Sequence, residues 1–135
     1  MKMTSNQKAQ QLEERLIQFA VRIIKVSDNL PKTFSGQHFS KQIVRSGSAP
    51  ALLYGEARGA QSDKDFRHKC SIALKELRET AINLKIILGA NYLSDAKLSD
   101  LTIENNELIS IFVATVRTMD RKLDINRSGV LAKAG

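Results

Sequence analysis

Apolar residues recur at helical spacing along almost the whole chain. Leu12, Leu16, Phe19, Ile23 and Val26 follow one another at intervals of four and three, which puts them on one face of a helix over about 7–28. Asn29-Leu30-Pro31 ends it, because a residue before proline avoids the helical region. A second helix is expected over about 36–59, with Ser35 as N-cap and Phe39, Ile43, Leu53 and Ala57 on its apolar face. Its centre, Ser46-Gly47-Ser48-Ala49-Pro50-Ala51, fits either two short helices or one helix kinked at Pro50. The third helix, about 62–89, is the clearest. Ser62 caps it, Asp63 and Asp65 sit at the positive end of its dipole, and Phe66, Cys70, Ala73, Leu77, Ala81, Leu84 and Leu88 form its stripe. Gly89 is the natural terminator. A fourth helix over about 94–123 buries Leu98, Leu101, Leu108, Phe112, Val116 and Met119, with Ile109 and Leu123 beside them. Four amphipathic helices with short connections predict an all-α, antiparallel up-down four-helix bundle over 7–125. Residues 1–6 and 126–135 are expected to be disordered.

Composition supports this picture. Two prolines and seven glycines in 135 residues are too few for the turns of an all-β fold. A single cysteine, Cys70, excludes an intrachain disulfide or a CxxC knuckle. The N-terminus has no apolar h-region, and no apolar run approaches the ~20 residues needed to cross a bilayer. A reducing, cytoplasmic setting is the simplest expectation, with no membrane partner.

Charge changes the picture more. The formal net charge is +7, which points to an anionic partner, RNA or DNA first. Residues 32–69 carry a net +4, while 93–125 carry a net −2. On helix 3, Lys64, Arg67, Ser71, Lys75, Arg78, Ile82 and Lys85 fall within an arc of about 80°, at a flank about 120° from the core stripe. Together with Lys41, Arg45 and Arg58 these cations are the candidate phosphate contacts. The bland alternative is a solvated face with pairs such as Asp63 with Arg67 and Asp65 with Lys69.

Catalytic and metal chemistry find little support. His38 and His68 stand 30 residues apart in no ligand spacing, and no Glu-x-x-His occurs. No P-loop, dinucleotide fingerprint or nucleophile elbow is present. Cys70 lies on the apolar stripe and reads as an inert thiol. The expectation is a non-enzyme with no cofactor and no metal.

The stretch from Arg45 to Leu88 resembles the bacterial four-helix family known as the 23S rRNA intervening-sequence proteins. The matching positions are Arg45-Ser46-Gly47, Tyr54, Glu56-Ala57, Ala60, Ser62, Asp65-Phe66, His68-Lys69, Ile72-Ala73-Leu74-Lys75-Glu76 and Arg78-Glu79-Thr80. The resemblance implies one bundle with a continuous helix 2 and a homo-oligomer, most plausibly a pentamer. A similar protein of diversity-generating retroelements binds nucleic acid and works with a reverse transcriptase, although most members have no established biochemical role. Tyr54, Glu56, His68, Lys69, Glu76 and Glu79 are then expected at interfaces, as links between helices or subunits. Three positions depart from the pattern: Pro50, Leu53 where asparagine is frequent, and Asn83 where an aromatic is common. The functional expectation is sequence-nonspecific binding of RNA or DNA through the basic surface. The rival is a scaffold that docks a partner enzyme.

Overall fold

The computed structural model describes the backbone of residues 2–134 and the side chains of 2–126. It contains four helices in chain order: α1 Ser5–Asp28, α2 Phe34–Arg58, α3 Asp63–Gly89 and α4 Asp95–Ala134. No strand occurs among the described residues. None of these helices is long and apolar enough to cross a membrane.

Local hydrogen bonding moves several helix boundaries. The N-terminal segment expected to be disordered enters α1 at Ser5, because Thr4 and Gln7 form a reciprocal capping box. Thr4 Oγ1 accepts from the Gln7 N–H at 3.1 Å, and Gln7 Oε1 accepts from the Thr4 N–H at 2.8 Å. The cap of α2 is Thr33, not Ser35; its hydroxyl accepts from the Gly36 N–H at 3.2 Å. Gly36 is buried there because a Cβ would lie 2.0 Å from the Pro31 carbonyl oxygen. Ser62 caps α3 by accepting from the Asp65 N–H at 3.0 Å.

The far end of α3 does not terminate at Gly89, which is its last helical residue and has no positive φ. Asn91, at φ 59°, takes the left-handed position. The Tyr92 N–H bonds the Ile87 carbonyl at 3.2 Å and the Asn91 N–H bonds the Leu88 carbonyl at 3.0 Å, which is a Schellman closure. The segment 126–135, expected to be a disordered tail, is helical as far as Ala134, so α4 runs well past Leu123. Its Arg, Leu, Lys and Ala are good helix formers, and no proline interrupts them. Gly135 lies outside the described residues.

α2 is one helix with Pro50 inside it. A proline here removes the N–H that would reach the Ser46 carbonyl, and its ring crowds that turn. Ser46, Gly47, Ser48 and Ala49 leave room for the ring, and Pro50 itself is buried.

Helices pack on their neighbours in the chain: α1 on α2, α2 on α3, and α3 on α4, while α1 and α4 barely touch. The core holds Leu16, Phe19, Ile23, Ile43, Cys70, Ala73, Leu77, Leu84, Leu98, Leu101, Leu108 and Phe112. On α3 the buried face turns slightly from the expected one. Thr80 and Ile87 are fully buried and Asn83 is buried, whereas Leu88 is exposed and Ala81 half-buried. Two polar side chains can take these places because Ser46 meets both. Thr80 Oγ1 lies 2.9 Å from Ser46 Oγ, and Asn83 Nδ2 donates to the same oxygen at 3.1 Å. Gly47 provides a similar closeness on the other side of α2, where a Cβ would approach Ile23 to 2.8 Å.

Candidate nucleic-acid interface

The turn of the buried stripe decides where the cations point. With Thr80, Asn83 and Ile87 included, its centre lies about 160° from the mean direction of Lys64, Lys75, Arg78 and Lys85 at ~100° per residue, with Lys64 and Lys75 nearly opposite it and Lys85 at about 120°. The basic ridge therefore faces straight outward from the bundle and not from the flank expected earlier. All four side chains are exposed, and none has an ion-pair partner within 4 Å among the described residues. From Lys64 to Lys85 the ridge extends roughly 32 Å at 1.5 Å per residue. His68, Ser71 and Ile82 share this face.

The other candidate cations divide differently. Lys41 is exposed on α2 with no ion pair among the described residues. Arg45, Arg58 and Arg67 are each held by carboxylates of another helix. Arg45 reaches from α2 to α3, at 2.9 Å from Glu76 and 2.5 Å from Glu79. The Glu79 carboxyl is held below the ordinary carboxylate range, chiefly by the Arg45 hydrogen bond. Arg58 bonds Glu13 at 2.7 Å and Asn6 at 3.0 Å, tying the end of α2 to α1. Arg67 bonds Asp120 of α4 at 2.9 Å. Of the residues expected at interfaces, Lys69 meets Glu56 across α2 and α3 at 3.0 Å. The carboxylates thus pair across helices. Asp63 meets Lys122 at 3.2 Å, so Asp63–Arg67 and Asp65–Lys69 are not the pairs formed.

Cys70 is fully buried, and burial pushes its thiol up to about 11, which keeps it protonated and unreactive near neutrality. No cluster of three or more His, Cys, Asp or Glu able to hold a metal ion occurs among the described residues.

A second feature had no place in the sequence reading. α1 and α4 diverge and leave a groove of about 1620 Å³ over the α2–α3 turn. Leu12, Phe19, Tyr54, Phe66 and Ile111 line it. The Tyr54 ring is 5% exposed and packs edge-on against Phe112 at 5.7 Å. At one place the groove is bridged. Arg15 donates to Glu104 at 2.8 and 2.6 Å and to Glu107 as well, which holds the Glu104 carboxyl below its ordinary range. The signal for this edge was present in α1: Lys8, Arg15 and Arg22 are spaced seven apart, beside an apolar stripe that alternates by four and three.

Comparison with known proteins agrees with this architecture. A crystal structure of a protein with unknown function from the S23 ribosomal protein family of Bacteroides thetaiotaomicron VPI-5482 superposes with a TM-score of 0.73 at 30% identity, covering 77% of this chain and 96% of that one. No curated protein matches. The family model of the 23S rRNA-intervening sequence proteins matches residues 8–114, so with the helix order and packing above, this chain belongs to that family.

Proposed function

We propose that this protein binds RNA or DNA through the outward face of α3, without catalysis and without reading base sequence. One observation carries the reading: Lys64, Lys75, Arg78 and Lys85 form a row of exposed cations, none with an ion-pair partner within 4 Å among the described residues. Lys41 is an exposed cation of α2 without an ion pair among the described residues, whereas Arg45, Arg58 and Arg67 serve the bundle. Stacking on bases has little support on this face, because His68 is its one ring and it carries no Phe, Tyr or Trp. A cytoplasmic setting belongs to the same reading, since the one cysteine is a buried free thiol.

Binding to a short duplex should weaken steeply with salt. Each neutralised phosphate contributes about −0.9 to the slope of log K on log[salt], so four contacts give about −3.6. Reversing Lys75, Arg78 and Lys85 to Glu should abolish binding with the helical fold intact. The same reversal at Lys2, Lys25 and Lys97 should weaken it far less. Equal losses in both variants would leave net charge as the whole cause. Absence of binding to duplex and single strand at ~50 mM salt would end the reading.

The homo-oligomer implied by the family resemblance, a pentamer, is part of the proposal. Ile17, Val21 and Ile24 support it: at spacings of four and three they are 46%, 38% and 44% exposed along one side of α1. Sedimentation equilibrium should give a multiple of 15.0 kDa, and Ile17→Glu with Ile24→Glu should reduce it. A parent that sediments as a monomer would refute assembly.

A further inference from the structure

We infer that the groove between α1 and α4 is a docking site for one amphipathic, acidic α-helix of a partner protein. This stands apart from the phosphate-binding face, which lies on the outward side of α3.

The size of the groove selects the class of ligand. Small-molecule pockets usually occupy about 300–1,000 Å³, and this groove measures about 1620 Å³. Its α4 wall runs from Glu104 to Thr118, which is about 21 Å of helix. A helix about 10–12 Å across and 21 Å long occupies about 1650–2400 Å³, so it would fill this open groove and stand partly above it. Four turns of helix laid between α1 and α4 would therefore complete the seam that this chain leaves open.

The lining selects the chemistry. Its floor is apolar, as an amphipathic helix requires. The α1 edge presents Lys8, Arg15 and Arg22 at heptad spacing, the position from which a coiled-coil helix meets the charges of its neighbour. Arg15 already has Glu104 and Glu107. Lys8 and Arg22 are exposed and have no ion pair among the described residues. Among the groove's carboxylates, Glu104 and Asp63 are paired, leaving Glu14. The partner edge that suits α1 is therefore acidic. Tyr54 adds a polar anchor: its ring is buried, it lines the groove, and its hydroxyl makes no hydrogen bond among the described residues. A second copy of the chain is the poorer occupant, because Glu104 and Glu107 of its acidic helix are already engaged within their own bundle.

The test uses a fluorescent, stapled 18-residue peptide with Leu at a and d and Glu at e and g, titrated into the full chain by anisotropy. Micromolar binding is expected, with a Lys-edged peptide at least tenfold weaker. Lys8→Glu with Arg22→Glu should reverse that preference, while Lys75→Glu with Lys85→Glu, an equal change of net charge on the ridge, should not. Thr118→Trp, which fills the groove from an exposed position, should abolish binding, and Tyr54→Phe should weaken it a fewfold. No binding of the Glu-edged peptide, or equal loss from groove and ridge reversals, overturns the proposal. Dissociation of an oligomer by Thr118→Trp would overturn it in favour of a second copy.

Discussion

The α2–α3 and α1–α4 seams are built from opposite materials. Along α2–α3, Ser46 lets the helices approach closely, and a buried hydroxyl collects hydrogen bonds from Thr80 and Asn83. Outside that layer Arg45 and Lys69 clasp carboxylates of the facing helix. Between α1 and α4 larger residues stand apart, and the main link is Arg15 with its two glutamates. Closeness depends on what a seam leaves out as well as on the apolar area it offers. Where side chains shrink, backbones meet and polar groups must pair; where they remain large with nothing opposite, a groove is left.

The strongest way to break this contrast is bulk. Gly47→Val drives two methyls at Ile23, where even a Cβ lies at 2.8 Å. Overpacking of this kind should cost about 3 kcal/mol, a fall of roughly 10 °C in Tm. Thr118→Val, in the open seam, should change stability by under about 0.5 kcal/mol. Gly47 lies on the α1 side of α2, so similar melting curves for the two would mean that the close seams of α2 are no tighter than the open α1–α4 seam.

Next comes the buried hydroxyl. Ser46→Ala leaves Asn83 Nδ2 without its acceptor and Thr80 without one partner, at a cost of about 1–3 kcal/mol. Urea unfolding at constant m-value is the suitable readout, and an unchanged midpoint would show that this layer adds no stability.

The α1–α4 clasp should matter less. Glu104 is 18% exposed and Arg15 35%, so Glu104→Gln should cost about 1 kcal/mol after allowance for solvent screening. The carboxyls of Glu104 and Glu79 are both lowered in the folded state. Their contribution is thus fully present above the unfolded value near 4.5 and is lost as pH falls through the folded one. Tm should drop below about pH 4.5 in the parent, and Glu104→Gln should flatten part of that drop. A variant with the parent's full acid dependence would exclude Glu104 as a source.

The smallest effects belong to the outer ion pairs of α2–α3. Arg45 is 50% exposed, so Arg45→Ala should cost under about 1 kcal/mol. Glu76, at 12%, should matter more than Glu79, at 39%. The reverse order in a pair of alanine variants would mean that Glu79 has a partner outside the single chain.

Much of this fold could be read from residue order. The four helices, the Ser62 cap and most of the core follow from spacing alone. The errors occurred where one residue type served two purposes. Thr80 and Asn83 were absent from the expected core stripe because apolar periodicity ignores a polar side chain with a buried partner 34 or 37 residues away. Gly89 read as a terminator because glycine favours the left-handed turn, yet Asn91 takes that conformation two residues later. Arg45, Arg58 and Arg67 looked like free cations because their carboxylates lie on other helices. The four ridge cations remain candidates because none of them has an ion-pair partner within 4 Å among the described residues. The groove was least visible of all, since a pattern of faces does not say which two helices will fail to meet.

The neighbour-by-neighbour packing also bears on how the chain folds. Each helix rests mainly on the one before it, and the first and last helices make little backbone contact. Every closure therefore spans only a short connection, and the entropy of bringing distant segments together hardly enters the barrier. The chain should therefore reach its native state on the millisecond scale or faster, as helical bundles of low contact order do.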